Sequence, residues 1–352
     1  MSEDTYKKLA KHLDNLPAGF PATDSGVELR ILKQLFTPRE AEAAMALTMK
    51  PAPPSAVAKR LGADEAEMAQ HLESMSKKGL IFRAGKGGRK LYSAAQFVIG
   101  IWEYHVNDLS EELIRDVNEY MPFLAKTWEN HKTKQLRVVP ILKSLSAEMM
   151  VTPYEEAENI IKAQSKIVVA PCICRKEQGM LGKECGKLGE ACLIFGGSAF
   201  FYEENGLGRS ISQEEALEIL NKGMEEGLVL QPGNSQKPSN ICLCCGCCCQ
   251  ILKNLSQLDE PAKAVATNYY AAVDEEHCTA CAICEERCQM DAIHIEDVAQ
   301  VDTARCIGCG LCVPTCDADA IHLVQKDASE RCALPKNTVE TYMNIARERG
   351  MV

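Results

Sequence analysis

The sequence predicts an α+β protein of several domains, on three observations. The chain has 352 residues, room for two or three hydrophobic cores. Its first hundred residues read as capped helices followed by two short strand-like runs. None of its nineteen cysteines falls before residue 172, and most then come in clusters. Hydrophobic content of 46% and charged content of 25% suit a folded soluble chain. The net charge of −10 gives no whole-chain footprint for nucleic acid or anionic membrane. The N-terminus "MSEDTYKKLAKHLDN" lacks an apolar signal region. The run "AAQFVIGIW" falls short of the ~18 residues that suggest a membrane span. The reading is a cytoplasmic protein. Disulfides do not persist in that compartment, so clustered cysteines point to metal or redox duty. Cys332, which stands alone, reads as a buried structural thiol.

Residues 1–100 are taken as the first domain. In "TPREAEAAMALTM", Thr37 is a helix cap, Pro38 opens the helix and Glu40 closes a capping box. "PSAVAKRLG" is a short helix ending at Gly62. "ADEAEMAQHLESMSKKGL" is a second, with Met68, Leu72 and Met75 on one face and a stop at Gly79. "LIFRA", "GKGG" and "RKLYSA" read as strand, turn and strand. This order resembles a winged helix-turn-helix domain, with Met45 and Leu47 helping to form its core. Such domains often read DNA through the second helix. Here Asp64, Glu65, Glu67 and Glu73 make that helix acidic, and Lys77 and Lys78 lie at its far end. Arg83, Lys86, Arg89 and Lys90 on the hairpin leave DNA contact open. A protein-docking module is expected ahead of a DNA-binding one.

Residues 101–150 read as a helical connector. Its apolar pattern, "NDLSEELIRDVNEYMPFLAKTWEN", is interrupted by Pro122, and Trp102 and Trp128 are packing residues. Residues 151–256 read as an α/β cysteine-rich domain. Thr152, Pro153 and Glu155 open a helix with a capping box, and the strand-like "KIVVA" follows. Then come Cys172, Cys174 and Arg175, and Cys185 and Cys192 in a glycine-rich loop. A helix capped by Ser212 and stopped at Gly227 leads through "LVLQPG" to "ICLCCGCCCQ", residues 241–250. That run holds six cysteines in eight positions.

Neighbouring side chains diverge, so adjacent cysteines in this run cannot all serve one metal. Two parsings are open. Cys242, Cys245 and Cys248 have x2 spacing and would take a fourth thiol from Cys172, Cys174, Cys185 or Cys192. Alternatively, Cys172, Cys174, Cys185 and Cys192 supply four thiolates by themselves. Cys244, Cys247 and Cys249 are further candidates. One or two additional iron–sulfur clusters, or zinc, would suit these sets. Arg175 would offset their negative charge.

The strongest signal lies in residues 270–326. "HCTACAICEERCQMDAIHI" and "RCIGCGLCVPTCDADAIHL" share the spacing C-x2-C-x2-C-x3-C. Cys278, Cys281, Cys284 and Cys288 recur 28 positions later as Cys306, Cys309, Cys312 and Cys316, and the "DAIH" tail recurs with them. Three thiolates at this interval can wrap three corners of a cubane. In such runs the fourth cysteine ligates the other cluster. One [4Fe–4S] cluster is then expected on Cys278, Cys281, Cys284 and Cys316, and the second on Cys306, Cys309, Cys312 and Cys288. Ala280, Ala282, Gly308 and Gly310 are small enough for backbone amides to approach the sulfurs.

This stretch resembles the bacterial two-[4Fe–4S] ferredoxin domain, which implies a pseudo-two-fold fold of hairpins and helices. It departs from that pattern in carrying Gln289 and Asp317 where a proline usually follows the fourth cysteine. With the "PC-x-CR" loop and the "CC-x-CCC" run, the whole resembles a group of ferredoxin-like proteins of anaerobic bacteria. Residues 327–352 read as a helical tail.

That resemblance speaks to architecture. The two-cluster repeat reads as a low-potential electron-transfer protein with a redox partner such as an oxidoreductase. With no G-x-G-x-x-G, P-loop or Ser/His/Asp arrangement, no catalytic residue is assigned. A redox-responsive winged-helix regulator and the iron–sulfur subunit of a reductase are the alternatives. The "CCG" at Cys244–Gly246 is similar to a heterodisulfide reductase motif, but the later cysteine pair that motif needs is already used by the repeat.

Overall fold

The computed structural model describes residues 2–86, 89–129, 131–146 and 149–352. Helices and strands are mixed, an α+β fold with small sheets. The chain divides into two compact units. One comprises residues 1–127, 200–207 and 345–352; the other comprises 128–199 and 208–344.

In the first unit, α1 (Ser2–Asp14), α2 (Val27–Leu35) and α3 (Pro38–Met45) precede α4 (Pro54–Leu61) and α5 (Glu65–Lys77). The capping box on α3 forms: the Thr37 hydroxyl accepts from the Glu40 N–H, and the Glu40 carboxylate accepts from the Thr37 N–H at 2.8 Å. Helix α4 ends at Gly62, whose φ of 63° needs no strain from a side chain. The Asp64 carboxylate then caps α5 by accepting from the Glu67 N–H at 2.9 Å. Met68, Leu72 and Met75 are buried, as their spacing requires, and so is Leu47, while Met45 is half-buried.

Strands β1 (Phe82–Lys86) and β2 (Arg89–Ser93) pair antiparallel, with Phe82 opposite Ser93. Gly87 and Gly88 of the expected turn lie outside the described residues, as does the Lys86 side chain. The expected break at Pro122 does not occur: α6 (Glu111–Glu129) runs through it. Proline deletes one backbone donor, but the buried face of Ile114, Val117, Tyr120, Met121 and Leu124 holds the helix on both sides. Tyr120 packs on Phe20 at 4.8 Å, and Arg30 bridges Asp116 and Glu119 at 2.9 and 2.7 Å. The first part of the expected connector therefore belongs to the same compact unit as residues 1–100.

The second unit is built on a five-stranded antiparallel sheet. Its strands are β3 (Ile167–Pro171), β4 (Glu190–Phe195), β5 (Arg209–Ile211), β6 (Val229–Pro232) and β7 (Asn240–Cys244), in spatial order β5-β3-β4-β7-β6. Val169, Leu193, Leu230, Ile241 and Leu243 bury one shared core. Thr152 and Glu155 do pair, with the Glu155 carboxylate accepting from the Thr152 N–H at 3.0 Å. They close a turn rather than open the helix, which begins at Ala157. Glu155 also accepts from the Asn268 amide at 2.9 Å, which ties that turn to a later segment.

The remaining strands are β8 (Tyr269–Val273), β9 (Ile293–Ile295), β10 (Ala299–Val301) and β11 (Ile321–Gln325). β8 pairs with β11 and β9 pairs with β10, both antiparallel. Ile293 opposes Val301, and 28 residues beyond Ile293 stands Ile321, opposite Val273. The duplicated halves thus exchange strands, the first strand of each pairing with the last strand of the other.

Candidate metal centres

All nineteen cysteines are free thiols. In the repeat, backbone N–H groups point at four of the sulfurs. Ala292 donates to Cys288 at 3.3 Å and Ala320 to Cys316 at 3.3 Å. Ala299 donates to Cys278 at 3.3 Å and Ala271 to Cys306 at 3.4 Å. The last two bonds cross between the halves, as the strands do. The turns that carry the cysteines match as well: Ala280 and Gly308 have φ of 53° and 66°, and Ala282 and Gly310 have φ of 65° and 72°.

Cys288 lies beside Cys306, Cys309 and Cys312, close enough for their charges to act on one another. Cys278, Cys281 and Cys284 are likewise neighbours. Cys316 packs on an apolar cluster that also takes in Cys278, Cys284, Cys288, Cys306 and Cys312. Burial pushes the Cys309 thiol up to about 12 and raises Cys312 in the same direction. Such thiols ionise when a metal core supplies positive charge, so loading releases protons. Amides aimed at sulfur and thiols too buried to ionise alone both fit an iron–sulfur core.

Residues 299–322 match the family of 4Fe-4S binding domains. This stretch is an iron–sulfur binding domain. It includes Cys306, Cys309, Cys312 and Cys316, so the chain carries a ferredoxin-like segment. No curated protein and no solved structure matches the chain. Among the described residues, no helix is long and apolar enough to cross a membrane.

The ten middle cysteines fall into two groups, neither of which is a set expected from spacing. The sulfurs of Cys185, Cys245, Cys247 and Cys248 all lie within 4.8 Å of one another. Cys247 and Cys248, although adjacent, approach to 3.8 Å, because the chain turns at this point. Cys242 is not part of this group. β7 extends through Cys244, so Cys242 and Cys244 share one face of the strand, and Cys242 stands opposite Cys192 on β4. The other six thiols form a row of side-chain contacts: Cys172 to Cys174, Cys174 to Cys249, Cys249 to Cys244, Cys244 to Cys242, and Cys242 to Cys192. Hydrogen bonding from Cys174 and then Cys244 holds Cys249 well below the ordinary thiol range.

Arg175 reaches both groups. Its guanidinium donates to the Leu188 and Leu243 carbonyls, each at 2.8 Å. Burial works against its charge, but the thiols of Cys172, Cys245 and Cys244 outweigh burial and hold its pKa above the usual value.

Three partners were not signalled by spacing. The buried Asn240 amide lies 3.5 Å from the Cys242 sulfur, and the buried Gln231 amide lies 4.0 Å from that of Cys249. Gln289, in the position of the missing proline, accepts from the Gly246 N–H at 2.7 Å and so ties the cysteine run to the ferredoxin segment. Asn240 immediately precedes the run, which is the one hint the sequence offered. Cys332 is exposed, contrary to the buried thiol expected.

Proposed function

We propose that this protein is a low-potential electron carrier, with two [4Fe–4S] clusters in residues 270–326 passing single electrons to and from a redox partner. The observation that carries the reading is the duplicated, strand-exchanged set of N–H donors aimed at the sulfurs of Cys278, Cys288, Cys306 and Cys316. One cluster falls to Cys278, Cys281, Cys284 and Cys316, the other to Cys306, Cys309, Cys312 and Cys288. Each bound cluster would supply one-electron chemistry near the ferredoxin-like ~−400 mV. The chain's own part is to hold the thiolates, exclude water and set the potential through N–H to sulfur bonds.

Cys288, Cys306 and Cys309 pack on the same apolar cluster as Cys244, Cys245, Cys248 and Cys249. That contiguity supports middle cysteines that extend the electron route. Residues 1–100 are read as a winged helix serving protein docking. Two of its hairpin cations are already paired, Arg83 with Glu73 and Glu204 at 2.6 and 2.5 Å, and Lys90 with Glu73 at 3.0 Å. That pairing engages two of the four hairpin cations with carboxylates rather than phosphates. The protein is read as cytoplasmic.

Anoxic purification followed by a potentiometric titration with electron paramagnetic resonance tests this reading. The expected result is two reducible clusters in the low-potential range that respond to serine changes at Cys281 and Cys309 respectively. A repeat that binds zinc without labile sulfide would overturn it.

A further inference from the structure

The ten middle thiols differ in how widely they are spaced, and spacing distinguishes kinds of metal centre. A zinc–sulfur bond of about 2.3 Å puts the sulfurs of a tetrahedral ion about 3.8 Å apart. A cubane carries its thiolates on outer corners and so holds them farther apart. The molecule contains its own standard. Among the described residues, the set of thiols whose sulfurs all lie within 4.8 Å is Cys185, Cys245, Cys247 and Cys248. The cysteines of the 4Fe-4S binding segment do not form such a tight set.

We infer that the middle region holds two metal centres of different kinds: one tetrahedral ion on Cys185, Cys245, Cys247 and Cys248, and a separate iron–sulfur cluster on the row Cys172, Cys174, Cys249, Cys244, Cys242 and Cys192. The tight set matches a single ion in thiol number and in its 3.8 Å Cys247–Cys248 separation. Zinc and ferrous iron share this tetrathiolate chemistry. The row offers more thiols than one four-coordinate ion accepts, and they lie side by side rather than around a point.

A second observation marks the row as a site for thiolates. Asn240 and Gln231, 4% and 2% exposed, aim amide N–H groups at the Cys242 and Cys249 sulfurs. Buried amides of this kind stabilise anionic sulfur and tune a cluster's potential. Arg175, 8% exposed, touches Cys245 of one group and faces Cys172 and Cys244 of the other. It gives both groups a counter-charge. The row holds up to six thiolates but needs only as many as its cluster has open iron corners; the remainder stay protonated.

The inference takes its internal standard from the electron-carrier reading, and the two are tested by different signals. The experiment uses full-length protein purified without oxygen and assayed for iron, acid-labile sulfide and zinc. Changing Cys174→Ser together with Cys244→Ser should remove roughly four irons with their sulfide and leave the single ion. Changing Cys185→Ser together with Cys248→Ser should remove one zinc or one iron and no sulfide. The spectrum of the 270–326 clusters should persist in both, which also shows that the variants fold. Asn240→Leu should keep the metal but shift the reduction potential of the row's cluster. The inference is overturned if both pairs of changes strip the same iron and sulfide, which would mean one shared cluster. It is also overturned if neither pair changes metal content and thiol titration finds reversible disulfides.

Discussion

Cys288 shows how much one residue's neighbours decide. Its own loop contains Cys278, Cys281 and Cys284, yet it stands among Cys306, Cys309 and Cys312. Ala292 donates to its sulfur from four residues on, which fixes its direction. Cys288→Ser should therefore damage the cluster on Cys306, Cys309 and Cys312 and leave that on Cys278, Cys281 and Cys284 largely intact. Paramagnetic resonance of the reduced variant reads the difference, and loss of the other cluster would show that ligation is not crossed. Gln289, next in the chain, is a departure from the usual pattern with a structural use: a proline there has no side-chain acceptor for the Gly246 N–H.

Among elements, the pairing of β8 with β11 and of β9 with β10 supports the crossed ligation of the proposal. Each half completes its hairpin only with the other half, which on the proposed assignment brings the fourth cysteine of each beside its partner's loop. The tight turns between cysteines carry the strain. Gly308 has φ of 66°, and a Cβ there would strike the Tyr269 backbone oxygen. Its counterpart Ala280 tolerates φ of 53°. Gly308→Ala should thus cost more than the roughly 1–2 kcal/mol of left-handed backbone alone, whereas Ala280→Gly should be neutral or stabilising. Thermal melts of the loaded protein, with the rate of cluster loss, check both; equal effects would remove the steric argument. Helix α6 teaches the opposite lesson about local rules, since its buried face carries it through Pro122.

For the whole molecule, chemistry and binding surfaces divide unevenly. Every cysteine falls within residues 172–332, inside the second compact unit. In the proposal the first unit serves protein docking, and its acidic α5 and paired hairpin cations argue against a phosphate partner. The full protein should show no tight DNA binding. Fluorescence anisotropy with genomic fragments at physiological salt measures this. Sequence-specific affinity near ~10⁻⁸ M would favour a redox-responsive regulator over the carrier.

The parts legible from residue order are those whose physics is local. The capping box of Thr37 and Glu40, the stop at Gly62, the apolar face of α5 and the 28-residue repeat each involve residues near one another in the chain or related by a fixed offset. The α+β class followed from them. The ten middle cysteines were different. Spacing grouped Cys242 with Cys245 and Cys248, but β7 turns Cys242 toward Cys192, fifty positions earlier, and the turn after Cys244 brings two adjacent thiols together against the usual divergence of neighbours. Cys185 joins Cys247 and Cys248 only because β4 and β7 are neighbours in the sheet. Residue order supplied the thiols; strand pairing, which joins distant segments, decided which of them meet.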